Sequence, residues 1–475
     1  MRSVSMLAPC LLPVALCLSA AGAAPPAGPE RPAETPARQA LSPAAGPPAG
    51  VASGPPAAPL PGPVVETRTL TLQQAVGLAL KQNPDYLLAK LDEQKARQAV
   101  REANIPFVTK IYLGSGLAKG NGFPLSIEGS APSIMQAYAS RYIYNRPQSF
   151  RVKEAGEMAN AALHSTEAKS DEVAYQVAAT YLDFERATRA LPAAKTQVET
   201  LTRMQELMEE RVKAGREIPL EATKARVEAA RARSLLLTMQ ANVALLEEAL
   251  RDDLSLGDAV RIAPVETNLP SELAMPESED AAVAEALGNS QEIKRLQSVL
   301  QAKRYALTAE KSARFPHVDL VAQYALLAQY NNYQDFFKTF QRHNGELGAS
   351  IQMPIFNGGA IAVRVAQVQT EISQTNLRLA SARAGIALET KRLFQTVRQA
   401  ESSRDLARME LDLARESLSV SLARFDEGRI PFSEVEQARI TEAQKWEAFY
   451  DGRAASGKAR LNLLREMGTL VAALR

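Results

Sequence analysis

Histidine, cysteine and aromatic side chains are scarce in this 475-residue chain, and each scarcity closes off a class of chemistry. The three histidines, His164, His317 and His343, lie far apart, and the only two cysteines are Cys10 and Cys17. A zinc centre, a His-based triad or a disulfide framework lacks the residues it would be built from. Aromatic residues make up only 5% of the chain, and the remainder is rich in Ala, Leu, Arg, Glu and Gln. That composition favours long helices over a compact α/β enzyme. No late stretch reaches the roughly 18 consecutive apolar residues of a spanning helix. Charge of neither sign dominates, with 55 basic against 53 acidic residues and a net charge of +2. A near balance of this kind gives no reason to expect nucleic acid as a partner.

Proline is concentrated in one place: 13 of the 28 prolines fall between Pro25 and Pro63. Ahead of them, Arg2, the apolar run Met6–Leu18 and the small residues Ala21-Gly22-Ala23 read as a secretory signal over residues 1–23. Leu16 stands before Cys17 where a lipoprotein cleavage site needs a small residue, so lipidation is not expected. Residues 24–66, rich in Pro, Ala and Gly, cannot bury a core and read as a disordered linker.

The rest of the chain contains an internal duplication. Ala75-Val76 with Ala79-Leu80 recurs as Ala282-Val283 with Ala286-Leu287, and Ala96, Ala99, Ala103, Pro106 recurs as Ala306, Ala309, Ala313, Pro316. Ala214-Gly215-Arg216-Glu217-Ile218-Pro219 has its counterpart in Glu427-Gly428-Arg429-Ile430-Pro431, so the offset stays near 210 residues. The repeats are expected over residues 67–275 and 276–475. Each begins with one long helix (Leu72–Asn104; Asp280–Arg314), followed by two strands around a loop and then a pair of very long helices.

The strands are clearest in the second repeat. Val318, Leu320, Ala322, Tyr324, Leu326, Ala328 and Tyr330 alternate with positions that begin with His317, Asp319 and Gln323. Beyond the polar loop Asn331–Gly345, Leu347, Ala349, Ile351, Met353 and Ile355 alternate with Glu346, Gly348, Ser350 and Gln352. A two-residue period predicts strands with one apolar face. In the first repeat Ile111, Leu113 and Leu117 alternate with Lys110, Gly114 and Gly116. A loop with Gly120, Gly122 and Pro124 follows, then Tyr138, Tyr142 and Tyr144 as interface aromatics. The pattern fits a membrane barrel or an antiparallel sheet packed on helices equally well.

Helices are expected over Phe150–Ala214, Leu220–Asp253, Ile361–Glu427 and Phe432–Met467. Val198, Leu201, Met204, Met208 and Val212, and again Leu411, Ala414, Leu418, Leu422 and Phe425, have the spacing of a coiled-coil seam. Gly215 and Gly428 supply helix stops, and Pro219 and Pro431 fit a following first turn. Each helix pair is therefore an antiparallel hairpin with a tight tip.

Leu70-Thr71-Leu72-x-x-Ala75 with Ala79-Leu80 and Asn83-Pro84, the run Pro354-Ile355-Phe356-Asn357-Gly358-Gly359, and the paired tips at Gly215 and Gly428 occur in fixed order on a duplicated chain. Over about Leu70–Gly468 this arrangement resembles the TolC-like outer-membrane efflux proteins. The resemblance implies a mainly α protein with a small membrane β portion. Three protomers would form an α-barrel in the periplasm continued by a shared 12-stranded β-barrel in the outer membrane. The function it implies is a passive exit duct, partnered by a periplasmic adaptor and an inner-membrane pump and not an enzyme. It implies tunnel-entrance acids at Glu434, Glu221 and Glu436. It also implies adaptor docking at the tips Gly215, Arg216, Pro219, Gly428, Arg429 and Pro431. No catalytic, cofactor or metal-binding residue is expected. A soluble periplasmic coiled-coil adaptor or structural protein is the alternative. Gly114-x-Gly116 with Gly120 lacks the helix and the acidic partner of a nucleotide loop. Nothing in the sequence selects between drug, metal and protein cargo.

Overall fold

The computed structural model describes residues 66–116, 133–257, 260–266, 275–328 and 341–474. The predicted signal, nearly all of the predicted linker, the loop residues Gly120–Pro124, Tyr330 and most of Asn331–Gly345 lie outside these residues.

The first repeat comprises β1 (Glu66–Leu70), α1 (Leu72–Gln82), α2 (Pro84–Asn104), a 3₁₀ turn (Ile105–Phe107), β2 (Lys110–Gly116), β3 (Ser133–Tyr144), α3 (Arg146–Lys213) and α4 (Pro219–Asp253). The second comprises β4 (Val260–Pro264), α5 (Glu279–Asn289), α6 (Gln291–Ser312), β5 (His317–Leu327), β6 (His343–Gln352), α7 (Ala360–Asp426), α8 (Phe432–Glu466) and the short α9 (Leu470–Ala473). At 1.5 Å per residue the 68 residues of α3 extend about 100 Å.

Each long opening helix predicted from the sequence is in fact two helices. Asn83 is extended (φ −60°, ψ 126°) because the residue before a proline is pushed out of the helical region. Its side chain accepts hydrogen bonds from the Asp85 and Tyr86 N–H groups at 3.0 and 3.3 Å, capping α2 with Pro84 in its first turn. In the second repeat Ser290 divides α5 from α6 by accepting from the Ile293 N–H at 3.4 Å. At the start of α1, Thr71 and Gln74 exchange reciprocal side-chain bonds in a capping box.

The repeated alanines have a packing reason. Ala75 and Ala79 are fully buried where α1 meets Val173, Val177 and Tyr181 of α3, within a core shared with Leu250 of α4 and Leu461 and Leu464 of α8. Ala282 and Ala286 are equally buried against Leu393, Phe394 and Val397 of α7. Small residues on these short helices let them lie close to the rods. Gly452 does the same between rods: a Cβ built there would stand 3.2 Å from Arg404 Cα, so α7 and α8 are in near-backbone contact.

A two-stranded parallel sheet, β1 with β4, was not anticipated from the sequence. It is fastened to α3 by Tyr181, which is fully buried. The Tyr181 hydroxyl lies 2.7 Å from the Leu70 carbonyl and 2.8 Å from the Val265 carbonyl, and accepts from the Val265 N–H at 3.0 Å. β1 begins at Glu66, the last residue of the span read as linker.

Candidate functional site

The four remaining strands form one antiparallel sheet in the order β2-β3-β5-β6. Residues opposite each other in adjacent strands point to the same face. One row of the sheet is Ile111, Ala139, Ala322 and Leu347, and another is Leu113, Ala137, Tyr324 and Gly345. Leu320, between Arg141 and Ala349, and Val318 with Ile351 extend the same face, on which Arg141 is the charged residue at the helix-proximal end. The intervening row, Tyr112, Tyr138, Gln323 and Glu346, lies on the other face with Gln136, Ser140, Asp319 and Ser350. The alternation read from β2, β5 and β6 is thus brought into register through β3.

Among the described residues the apolar face is uncovered. Ile111, Leu113, Leu347 and Ile351 are each at least 70% exposed. Outside the sheet, the main neighbour of these strands among the described residues is the Ile105–Phe107 turn against β3. A sheet packed on helices would have buried these side chains. Among the described residues the outer strands β2 and β6 pair on one side only, leaving two backbone edges without partners there.

Two expectations shift here. Tyr138 and Tyr142 lie on the polar face, Tyr138 with its ring 6.4 Å from Tyr112, so neither is an aromatic of the apolar face. A register shift between Tyr142 and Tyr144 brings Tyr144 opposite Val318, on the apolar side. Met353 and Ile355 lie beyond the end of β6, where Pro354 cannot donate to the ladder. Ile355 and Phe356 are 95% and 90% exposed, and Gly358 and Gly359 follow with φ of +62° and +81° to turn the chain into α7. The apolar alternation of β3, with Met135, Ala137 and Ala139 against Gln136, Tyr138 and Ser140, leaves little signal in the sequence because alanines carry it.

Far along the rods, the two hairpin tips are built alike. Gly215 and Gly428 have φ of +68° and +70°. The Arg216 and Arg429 N–H groups reach back to the Arg211 and Arg424 carbonyls at 2.9 Å each, in the six-to-one bond of a glycine-closed helix end. Ile218 and Pro431 occupy the N-cap positions of α4 and α8, and neither offers a side-chain cap. Pro219 sits in the first helical turn as expected, whereas Pro431 stands one position earlier, at the cap itself.

The matching geometry places Glu221 and Glu434 at the third residue of their helices, where the helix dipole favours a carboxylate. Glu221 is paired with Lys224 at 2.8 Å. Glu434 is exposed, with no ion pair among the described residues. Glu436, by contrast, is buried at 3% exposure, with Arg439 at 4.0 Å. Two residues of helix turn it about 200° from Glu434, so it does not share the surface of Glu221 and Glu434 in this chain. Arg429 is paired with Glu427 at 3.0 Å, while Arg216 is exposed.

Behind the tips the predicted seams pack as read. Leu201 is buried with Val198, Met204 and the alanines Ala229 and Ala232 of α4, reaching Ile440 of α8. Leu411 and Ala414 are buried, Leu418 and Leu422 are half-buried, and Phe425 emerges at the tip.

Residues 282–469 match the outer membrane efflux protein family. Compared by sequence, none of the curated proteins matches the chain. Solved structures share its fold. A membrane protein from Pseudomonas aeruginosa is 16% identical, with 83% of this chain and 93% of that one covered and a TM-score of 0.68. The outer membrane channel CmeC of Campylobacter jejuni is 15% identical, with 84% and 86% covered and a TM-score of 0.68. The outer membrane protein VceC of Vibrio cholerae is 16% identical, with 84% and 96% covered and a TM-score of 0.66. The likeness to TolC-like outer-membrane efflux proteins expected from the sequence therefore holds, through the family match in the second repeat and through the fold in both.

Proposed function

We propose that this protein is the outer-membrane exit duct of a tripartite efflux or secretion system. The observation that carries the reading is the four-stranded sheet, with one bare apolar face, one polar face and two unpaired edges. In lipid an open edge leaves backbone groups unsatisfied at several kcal/mol each, so only a closed barrel is tolerated. Three protomers would close one barrel of twelve strands, each β6 edge meeting a neighbour's β2 edge. The apolar faces would then contact lipid and the polar faces would line the lumen.

The helical hairpins continue this wall into the periplasm as a hollow α-barrel. The duct performs no chemistry in this reading: an inner-membrane pump supplies the energy, and a periplasmic adaptor docks at the tips around Gly215, Arg216, Pro219, Gly428, Arg429 and Pro431. Glu434 and Glu221 form the acidic entrance, where rings of carboxylates attract cations and shape conductance. Glu436 is left out of that ring because it is buried within its own protomer. A soluble coiled-coil adaptor is disfavoured by the uncovered apolar face, which would be an aggregation site in water.

Single-channel recording of the purified protein in planar bilayers tests the reading. Stable conductance blocked by divalent cations is expected, with Glu434→Ala weakening the block. Absence of any conductance from a folded, detergent-extracted oligomer would refute the duct. Unaltered block in a conducting Glu434→Ala channel would refute the acidic entrance alone.

A further inference from the structure

Between α3, α7 and α8 lies a cleft of about 400 Å³, well away from the sheet and the tips in sequence. Its walls carry six arginines: Arg186 and Arg189 from α3, Arg404 and Arg408 from α7, and Arg453 and Arg460 from α8. Only two carboxylates, Glu185 and Asp405, line the same space. Carboxylates in and around the cleft satisfy five of the arginines. Arg186 pairs with Asp451 at 2.6 Å, Arg404 with Asp405 at 2.8 Å, and Arg460 with Glu401. Arg189 and Arg453 share Glu185 and Glu266. Arg408 is exposed, and no carboxylate among the described residues is paired with it.

Aromatic side chains form another part of the wall. Phe449 and Tyr450 line the cleft, and Tyr450 is stacked on Trp446 with ring centroids 5.4 Å apart. Arg415 of α7 lies over the Trp446 ring at 4.4 Å. A volume of this size accepts a small organic molecule. Guanidinium groups present paired donors matched to a carboxylate or phosphate, and the adjacent aromatic faces suit a flat ring.

We propose that this cleft is a binding site for small organic anions bearing an aromatic ring. The anionic group engages Arg408 together with Arg404, whose partner Asp405 is 61% exposed and free to swing into water. The ring packs on Phe449 and Tyr450. The assignment stands independently of the duct reading, because it concerns a cleft formed within one protomer.

The chain supplies its own reporter, since Trp446 is its only tryptophan. The full-length protein in detergent is titrated with benzoate and, separately, with the uncharged benzamide, while Trp446 emission and binding heat are followed. Benzoate is expected to change the emission saturably, and benzamide to bind at least about tenfold more weakly, the range of a charge-assisted hydrogen bond. Arg408→Gln, which breaks no ion pair among the described residues, is expected to weaken benzoate binding by a similar factor while leaving oligomeric state and melting temperature unchanged. Equal responses to both probes, no response to benzoate, or undiminished binding in a folded Arg408→Gln protein would each overturn the assignment.

Discussion

Placing a lysine at Leu347 separates a lipid-facing sheet from a soluble one. Leu347 is the fifth of the ten residues of β6, near mid-strand, and is 76% exposed within the single chain. Its row-mates Ala322, Ala139 and Ile111 are all apolar, so no carboxylate in that row can receive an ammonium group. In water, lysine at so exposed a position would change stability by no more than about 0.5 kcal/mol. At the centre of a bilayer the same substitution costs about 2–4 kcal/mol per copy, hence roughly 6–12 kcal/mol for a trimer. That is comparable with the whole stability of many folded proteins. The expected result for Leu347→Lys is loss of the detergent-resistant oligomer and strong depletion from the outer-membrane fraction. Gln323→Lys, one row away on the polar face, is the matched control and should assemble normally. The reasoning fails if Leu347→Lys assembles as the parent does, or if Gln323→Lys is the more damaging of the two.

Three further outcomes are expected. Tyr181→Phe removes the hydroxyl that bridges the buried Leu70 carbonyl and the partly exposed backbone of Val265, and should cost about 1–2 kcal/mol in denaturant unfolding with the fold retained. Asp171 is buried against the Val471 N–H, and desolvation holds its carboxyl above the ordinary aspartate range. A raised carboxylate pKa means that the folded state binds a proton more readily than the unfolded one, so its penalty grows as pH climbs from the ordinary aspartate range to the raised value and is fully present above it. Asp171→Asn should therefore gain stability relative to the parent at pH 8, with the difference shrinking toward pH 4 in paired melts. Gly452→Leu should separate α7 from α8, because even a Cβ there comes within 3.2 Å of the Arg404 backbone, and should expose the intervening arginine cleft to faster hydrogen exchange.

The rods were legible because their signals are local. A positive-φ glycine followed by a proline marks each tip, and the leucine and alanine seams between them repeat at helical spacing. Strand alternation was equally legible in β2, β5 and β6, though not in alanine-rich β3, but its meaning was not. Whether Leu347 and Ile351 face lipid or a helix depends on register with β2 and β3, more than 200 residues away, and no local pattern encodes that pairing. The breaks at Asn83 and Ser290 were available in principle, as an Asn-Pro pair and a serine cap inside otherwise continuous helical patterns. The β1–β4 pair was harder: five-residue strands carry little periodicity, and their anchor, Tyr181, looks like any seam residue of α3. At the tips, counting from the glycine placed Glu221 and Glu434 at equivalent positions, but the burial of Glu436 follows from packing around α8.

Imaging the detergent-purified mature protein tests the central claim most directly. The account predicts long hollow cylinders of threefold symmetry, with a short detergent-covered segment at the end where the four-stranded sheets meet. Monomeric rods that remain dispersed without detergent would contradict it.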